Sequence, residues 1–164
     1  MFLKTSKKLK YDIEIFYNIF SNYERQKILK QFIPKLCRND VCPGMQTPPN
    51  LHLDFKEDKS YFDPFNIIKK RIKVNNQISK SWINYTDYNL KYLSWHTHAS
   101  SSFDKTCVYM LENPEKVGTW FLVENQIYKV KAPTNSLILF SKDLIHTVPS
   151  DIKKPRYSLA IEFI

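Results

Sequence analysis

Short apolar or alternating runs, separated by turn-forming residues, occupy the second half of the chain. The runs cover residues 82–85, 106–111, 119–123, 126–130, 136–140 and 157–164. Turn formers such as Asn113-Pro114 lie between them. Several short strands at this spacing are typical of a β-sandwich or barrel. The aromatic content, with 11 Phe, 10 Tyr and 3 Trp, suits such an interior.

Two helix signals precede these runs. Ser21 followed by Glu24 is a capping box, and the helix that it begins would end at Pro34. Asp63 as N-cap with Pro64 at the first helical position marks a second helix. Both helices carry apolar residues at helical spacing, which predicts that they pack on the sheet as supports.

The rest of the first half is less regular. Residues 11–17 alternate imperfectly and predict an opening strand, whereas residues 37–61 contain several turn pairs and predict a long loop or lid. The sequence shows no internal repeat and no linker. We therefore expect residues 1–164 to form a single, mainly β domain with N-terminal helices. In it, residues 1–80 would provide helical support and loops, and residues 81–164 the β core.

The composition excludes two common classes of enzyme. Only two glycines occur, Gly44 and Gly118, so the chain has no glycine-rich loop for phosphate. P-loop enzymes and dinucleotide-binding folds both need such a loop. An unrelated fold must therefore carry any chemistry of this chain.

The charge and cysteine content bear on location and partners. The chain has 25 basic and 16 acidic residues, a formal net charge of +9. This could attract nucleic acid, but a compositional bias toward Lys, Asn and aromatic residues explains it as well, so a nucleic-acid partner is not favoured. Three cysteines without zinc spacing indicate reduced thiols and a cytoplasmic protein, and no apolar run is long enough for a membrane span. The oligomeric state is not readable.

Three of the four histidines follow an order that suggests a metal site. His96 and His98 are two residues apart, so on a strand their imidazoles share one face and can converge on one ion. His146 follows the strand predicted at residues 136–140. Arg156 and Ser158 come next, again two residues apart on the closing strand. Each part has an ordinary structural explanation, and only their order points to function.

In this order of motifs, residues 82–164 resemble the iron(II)/2-oxoglutarate-dependent oxygenases, in particular the small stand-alone enzymes of bacteria and tailed phages. The resemblance implies a double-stranded β-helix, or jelly roll. It also implies Fe(II) as cofactor, 2-oxoglutarate as co-substrate and O2 as oxidant. A facial triad leaves positions on the metal for the keto acid and O2.

The resemblance also assigns roles to individual residues. It implies that His96, His98 and His146 are the metal ligands, with His98 at the position where relatives carry a carboxylate. Asp104 or Asp143 could supply that carboxylate instead. It implies that the co-substrate is bound by Arg156, Ser158, Tyr85 and Tyr109. Arg suits the far carboxylate because its guanidinium forms two parallel hydrogen bonds.

The activity implied is hydroxylation of a peptide side chain or a small metabolite, with selectivity in the loops at residues 37–61 and 87–94. One alternative is a cupin, but residues 99–103 lack the glutamate usual there, and the Arg156-x-Ser158 pair would be unexplained. Another is a non-enzymatic, basic jelly-roll binding module. A nucleic-acid demethylase is disfavoured, because the closing strand has no second arginine.

Overall fold

A computed structural model describes residues 6–38, 44–57, 62–87, 94–98, 104–148 and 152–164. The α-helices are α1 (Asn22–Phe32), α2 (Leu51–Glu57) and α3 (Pro64–Ile72), and a short 3-10 helix (Ile33–Lys35) follows α1. The strands are β1 (Ser6–Lys8), β2 (Glu14–Tyr17), β3 (Cys37–Arg38), β4 (Met45–Gln46), β5 (Ile78–Thr86), β6 (Lys105–Glu112), β7 (Val117–Val123), β8 (Gln126–Lys131), β9 (Ser136–Ser141), β10 (Ile145–Thr147) and β11 (Arg156–Phe163). None of the helices in these ranges is long and apolar enough to cross a membrane.

The strands form two antiparallel sheets. The large sheet has the order β1-β2-β9-β6-β11-β5-β4-β3, and the small sheet has the order β10-β7-β8. Side chains from both sheets pack together: Ile15 of β2, Met110 of β6 and Phe140 of β9 meet Phe121 of β7 and Val130 of β8. The two sheets therefore face each other, and the predicted jelly roll is confirmed.

The helices cover the outer face of the large sheet. Ile28 and Phe32 of α1 and Ile68 of α3 share one apolar cluster with Leu159 and Ile161 of β11. Burial of this apolar surface is the main favourable term that holds helices on a sheet. The molecule thus has three layers: helices, large sheet and small sheet.

The strand β11 divides its side chains between these layers. Because successive residues of a strand point to opposite faces, Leu159, Ile161 and Phe163 point toward the helices. Arg156 and Ser158 lie on the other face and border a cavity between the sheets. The same alternation therefore builds the core and presents polar groups to the interior of the jelly roll.

Both predicted helix starts are confirmed. The Glu24 amide donates to Ser21 Oγ at 3.2 Å, and the Ser21 amide donates to Glu24 Oε2 at 2.7 Å, which completes the capping box of α1. At α3, Asp63 Oδ1 accepts from the amides of Phe65 and Asn66. These side chains pair backbone donors that have no partner within the first turn of a helix.

The interpretation of residues 37–61 as a loop is wrong in part. This segment contains β3, β4 and α2, and β4 pairs with β5 of the large sheet. Leu51 of α2 is buried in the apolar cluster beneath the helices. Packing against the sheet, rather than local propensity, is what orders this stretch. Residues 39–43 and 58–61 of the predicted lid lie outside the described residues.

Candidate metal and co-substrate site

The three histidines singled out in the sequence come together at the edge of the small sheet. The backbone of His96 pairs with that of His146 in β10 through two hydrogen bonds, of 3.0 and 2.9 Å. The His98 amide donates to the carbonyl of Lys142 at 3.0 Å. One potential ligand atom from each histidine lies within 4.8 Å of the other two. Among the described residues, these three side chains form a site that could hold a metal ion.

A hydrogen bond orients each imidazole. Nδ1 of His96 lies 2.9 Å from the carbonyl oxygen of Ser94, and Nδ1 of His146 lies 2.9 Å from that of Leu144. Nδ1 of His98 lies 3.0 Å from Glu162 Oε1. All three partners are oxygen acceptors, so each Nδ1 is placed to donate a hydrogen bond, and Nε2 is then the nitrogen that can bind a metal. This arrangement is typical of histidines that bind metal through Nε2.

Burial keeps two of these imidazoles uncharged. Desolvation lowers the pKa of His146 to about 3, against the smaller opposing effect of its hydrogen bond to the Leu144 carbonyl. Desolvation also lowers the pKa of His96. Neutral imidazole is the form that can donate a lone pair to a metal. At neutral pH, protons therefore compete weakly for these two nitrogens.

Beside the histidines lies a cavity of about 250 Å³ that Arg156 and Ser158 help to line. Arg156 is only 2% exposed, and its Nη1 donates to the Val117 carbonyl at 3.0 Å. Its Nε has no hydrogen-bond partner in the described part of the chain. Burial lowers the pKa of Arg156 to about 10, so the side chain stays charged at neutral pH. An unsatisfied buried guanidinium facing a cavity fits an anionic ligand.

Of the two tyrosines that the resemblance implied for co-substrate binding, Tyr85 borders the cavity and Tyr109 does not. The Tyr109 ring packs edge-on against Phe20, and its hydroxyl donates to Asn135 Oδ1 at 2.9 Å. It thus lies on the helix side of β6. Tyr85 borders the cavity, but its ring packs against that of Tyr157 at an interplanar angle of 48°, with centroids 5.0 Å apart. Tyr157 alternates with Arg156 and Ser158 and so lies on the opposite face of β11.

Neither aspartate considered as a replacement for His98 belongs to the cluster. Asp104 and Asp143 are exposed, and the group of potential ligands among the described residues consists of the histidines alone. The carboxylate beside the histidines is that of Glu162, which no sequence motif had marked. His52 lies elsewhere, in α2, where its Nδ1 is 2.9 Å from the Ser81 hydroxyl.

Further cavity residues could have been found by extending the two-residue period of the strands. Trp82 and Asn84 of β5 and Thr119 of β7 also line the cavity. On β11, the period that links Arg156 to Ser158 continues to Glu162. The signal was a charged residue, Glu162, on the strand face that carries Arg156 and Ser158, between two apolar residues of the opposite face.

No model of a known protein family matches the sequence, and no curated protein matches it. Solved structures do resemble this chain. One is a prolyl hydroxylase from Trichoplax adhaerens in complex with a hypoxia inducible factor oxygen degradation domain peptide fragment. It has a TM-score of 0.68 and 14% identity, over 94% of this chain and 84% of that one.

Two further structures show the same likeness. An oxidoreductase of the 2OG-Fe(II) oxygenase family from Burkholderia pseudomallei has a TM-score of 0.63 and 13% identity, over 98% of this chain and 83% of that one. HygX from Streptomyces hygroscopicus, with nickel, 2-oxoglutarate and hygromycin B bound, has a TM-score of 0.65 and 11% identity, over 92% of this chain and 82% of that one. At such identities the likeness establishes the fold. The chain has the jelly-roll fold of the 2OG-Fe(II) oxygenases, as its sequence resemblance implied.

Proposed function

We propose that this protein is an Fe(II)- and 2-oxoglutarate-dependent oxygenase that hydroxylates a peptide side chain or a small metabolite. One observation carries the proposal. Three imidazoles, each oriented by an acceptor at Nδ1, converge beside a cavity lined by a buried arginine with an unsatisfied Nε. The fold shared with 2OG-Fe(II) oxygenases supports the same conclusion.

The donor set fits the metal. Imidazole nitrogen is a good ligand for Fe(II), and three such ligands leave coordination positions for a chelating keto acid and O2. His96, His98 and His146 would hold the ion, and Phe140 packs against the His146 ring with centroids 4.8 Å apart. When bound, the metal and the keto acid together activate O2. The protein binds, orients and shields the reactants.

The cavity fits the co-substrate. The Arg156 guanidinium would bind the far carboxylate of 2-oxoglutarate, and the Ser158 hydroxyl on the same face of β11 would add a donor. Such a contact would also satisfy the Arg156 Nε, which otherwise bears the free-energy cost of burial without a hydrogen bond. Tyr109 has no place in this proposal, since its ring packs away from the cavity, and Tyr85, which borders the cavity, packs its ring against Tyr157.

The proposed substrate class follows from the partners of the similar structures. One similar structure contains a peptide and another contains hygromycin B, so the fold accommodates both kinds of partner. The loops expected to select the substrate include residues 39–43, 58–61 and 88–93, which lie outside the described residues. The cupin and the non-enzymatic binding module are less favoured, because neither explains Arg156 beside the histidine cluster.

The test separates the oxygenase from a cupin. Titration of 2-oxoglutarate into the Mn(II)-loaded protein should show binding that competes with other 2-keto dicarboxylates. The His146→Ala variant should show none. A metal-loaded protein that does not bind 2-oxoglutarate would exclude the proposal. Incubation with Fe(II), 2-oxoglutarate, O2 and panels of peptides and metabolites should then give a product that has gained one oxygen atom.

A further inference from the structure

Glu162 is a buried carboxylate that faces the metal site. It lies near the end of β11, is 3% exposed, and has its Oε1 at 3.0 Å from His98 Nδ1. Its other oxygen, Oε2, has no hydrogen-bond partner among the described residues. Thr106 stands directly opposite on β6, and its buried hydroxyl is likewise without a partner there. This carboxyl group therefore lies inside the jelly roll, and among the described residues its contact is with His98, whereas Lys80, opposite on β5, is exposed.

Such a charge needs a nearby positive one. A carboxylate removed from water and given only one hydrogen bond is strongly disfavoured unless an opposite charge compensates it. A divalent cation held by the three histidines would supply that charge through the His98 ring. The geometry for this already exists, because His98 Nδ1 lies 3.0 Å from Glu162 Oε1, and Nε2 is then the nitrogen that would bind the ion.

From this geometry we infer that Glu162 is a positioning residue for the metal. Acting through His98, it supplies the negative charge that a carboxylate ligand at position 98 would otherwise provide. The inference rests on the proposed function. The charges agree with it. Two positive charges on Fe(II) and one on Arg156 balance two negative charges on 2-oxoglutarate and one on Glu162. With histidine instead of a carboxylate at position 98, the loaded site thus remains neutral overall. The negative charge lies on Glu162, which is separated from the metal by the His98 ring.

The carboxylate has two effects on His98. It fixes the tautomer and the ring orientation, and it makes Nε2 a stronger donor, as carboxylate–histidine pairs do in other metal sites. Glu162 itself does not belong to the group of potential ligand atoms, which comprises the three histidines. It therefore acts on the metal through His98.

The experiment is a double-mutant cycle on Mn(II) affinity, measured by titration of the full chain. The variants are Glu162→Gln, His98→Ala and the two combined. Glu162→Gln keeps the shape and an acceptor but removes the charge, and it should weaken Mn(II) binding about 10-fold or more, since the loss of such partners typically costs 10–100-fold. His98→Ala should weaken binding further. The double variant should match His98→Ala within about two-fold, because without the imidazole Glu162 has no route to the metal.

Two controls make the result decisive. Glu24→Gln removes a carboxylate from the capping box of α1, far from the site, and should keep wild-type Mn(II) affinity. The melting temperature of each metal-free variant shows whether it is folded. A folded Glu162→Gln variant with wild-type affinity would overturn the inference. So would a double variant that binds clearly more weakly than His98→Ala, since Glu162 would then act on the metal directly. His146→Ala tests the proposed function separately: if it retains Mn(II), the metal site itself is wrong.

Discussion

At the scale of single residues, each key side chain of the site uses one nitrogen for a hydrogen bond to the protein backbone. His146 is buried, its Nδ1 is 2.9 Å from the Leu144 carbonyl, and its ring packs on Phe140. Arg156 is engaged by the Val117 carbonyl on one nitrogen and has another without a partner. In both cases one hydrogen bond fixes the direction of the side chain, and another nitrogen of the same side chain is placed to bind a ligand.

His146→Ala should abolish metal binding. The substitution removes the most buried of the three imidazoles, and no other histidine is near enough to replace it. We expect Mn(II) affinity to fall by at least about 100-fold, because the loss of an outer partner alone costs 10–100-fold. The control is His52→Ala. It removes a buried imidazole of α2, whose Nδ1 lies close to the Ser81 hydroxyl of β5, and it should leave the Mn(II) affinity unchanged. Full metal occupancy in His146→Ala would disprove the assignment.

Arg156→Ala should weaken 2-oxoglutarate binding far more than metal binding. Truncation of one partner of a desolvated charged pair costs about 2–5 kcal/mol, which corresponds to a loss of roughly 30-fold or more. Arg156→Lys keeps the charge but not the planar fork, so its loss should be smaller but clear. Titration of the Mn(II)-loaded variants measures both effects. Unchanged keto-acid affinity in Arg156→Ala would make Arg156 a structural residue.

At the scale of elements, β11 shows how far sequence reasoning could reach. Its two-residue period correctly placed Arg156 and Ser158 on one face. The same period would have reached Glu162, but the resemblance did not mark that position. Tyr85 and Tyr109 were assigned by resemblance without regard to which strand face they occupy. The Tyr109 ring packs against Phe20, away from the cavity, whereas Tyr85 borders the cavity and packs its ring against Tyr157.

The short elements between residues 37 and 61 could not be predicted for another physical reason. Strands β3 and β4 have two residues each, so they contain no period that a sequence pattern could reveal. Their order comes from pairing along the edge of the large sheet. Helix α1 is the opposite case, since its capping box is encoded locally by Ser21 and Glu24. Structure that neighbouring residues encode could be predicted from the sequence, whereas structure that depends on pairing with distant strands could not.

The two faces of β11 should respond differently to substitution. Leu159 is fully buried against the helices, so Leu159→Ala should lower the free energy of unfolding by about 2–5 kcal/mol and leave Mn(II) affinity of the folded protein unchanged. Ala160 faces the cavity, so Ala160→Leu should reduce 2-oxoglutarate affinity by filling it. Urea denaturation and ligand titration measure the two effects. Loss of metal binding in folded Leu159→Ala would contradict this division of the strand.

At the scale of the whole molecule, the site joins the two sheets. The histidine cluster lies at the edge of the small sheet, beside β10, whereas Arg156, Ser158 and Glu162 belong to the large sheet. The first 80 residues supply both edges of the large sheet as well as the helices that cover it. We therefore propose that residues 1–164 form one domain, in which the N-terminal half is part of the β framework rather than only a support.

A ligand that spans the two sheets should stabilise the protein only when both halves of the site are intact. Mn(II) alone should raise the melting temperature. At 100 times its dissociation constant a ligand adds about 2.7 kcal/mol, or roughly 5–10 °C for a chain of this size. 2-Oxoglutarate should add a further increase, but only with metal present, because its chelating end needs the ion and its far carboxylate needs Arg156. In Arg156→Ala the Mn(II) increase should persist and the keto-acid increase should vanish, and in His146→Ala both should be lost. A keto-acid increase that survives in Arg156→Ala would mean that 2-oxoglutarate binds without linking the two sheets.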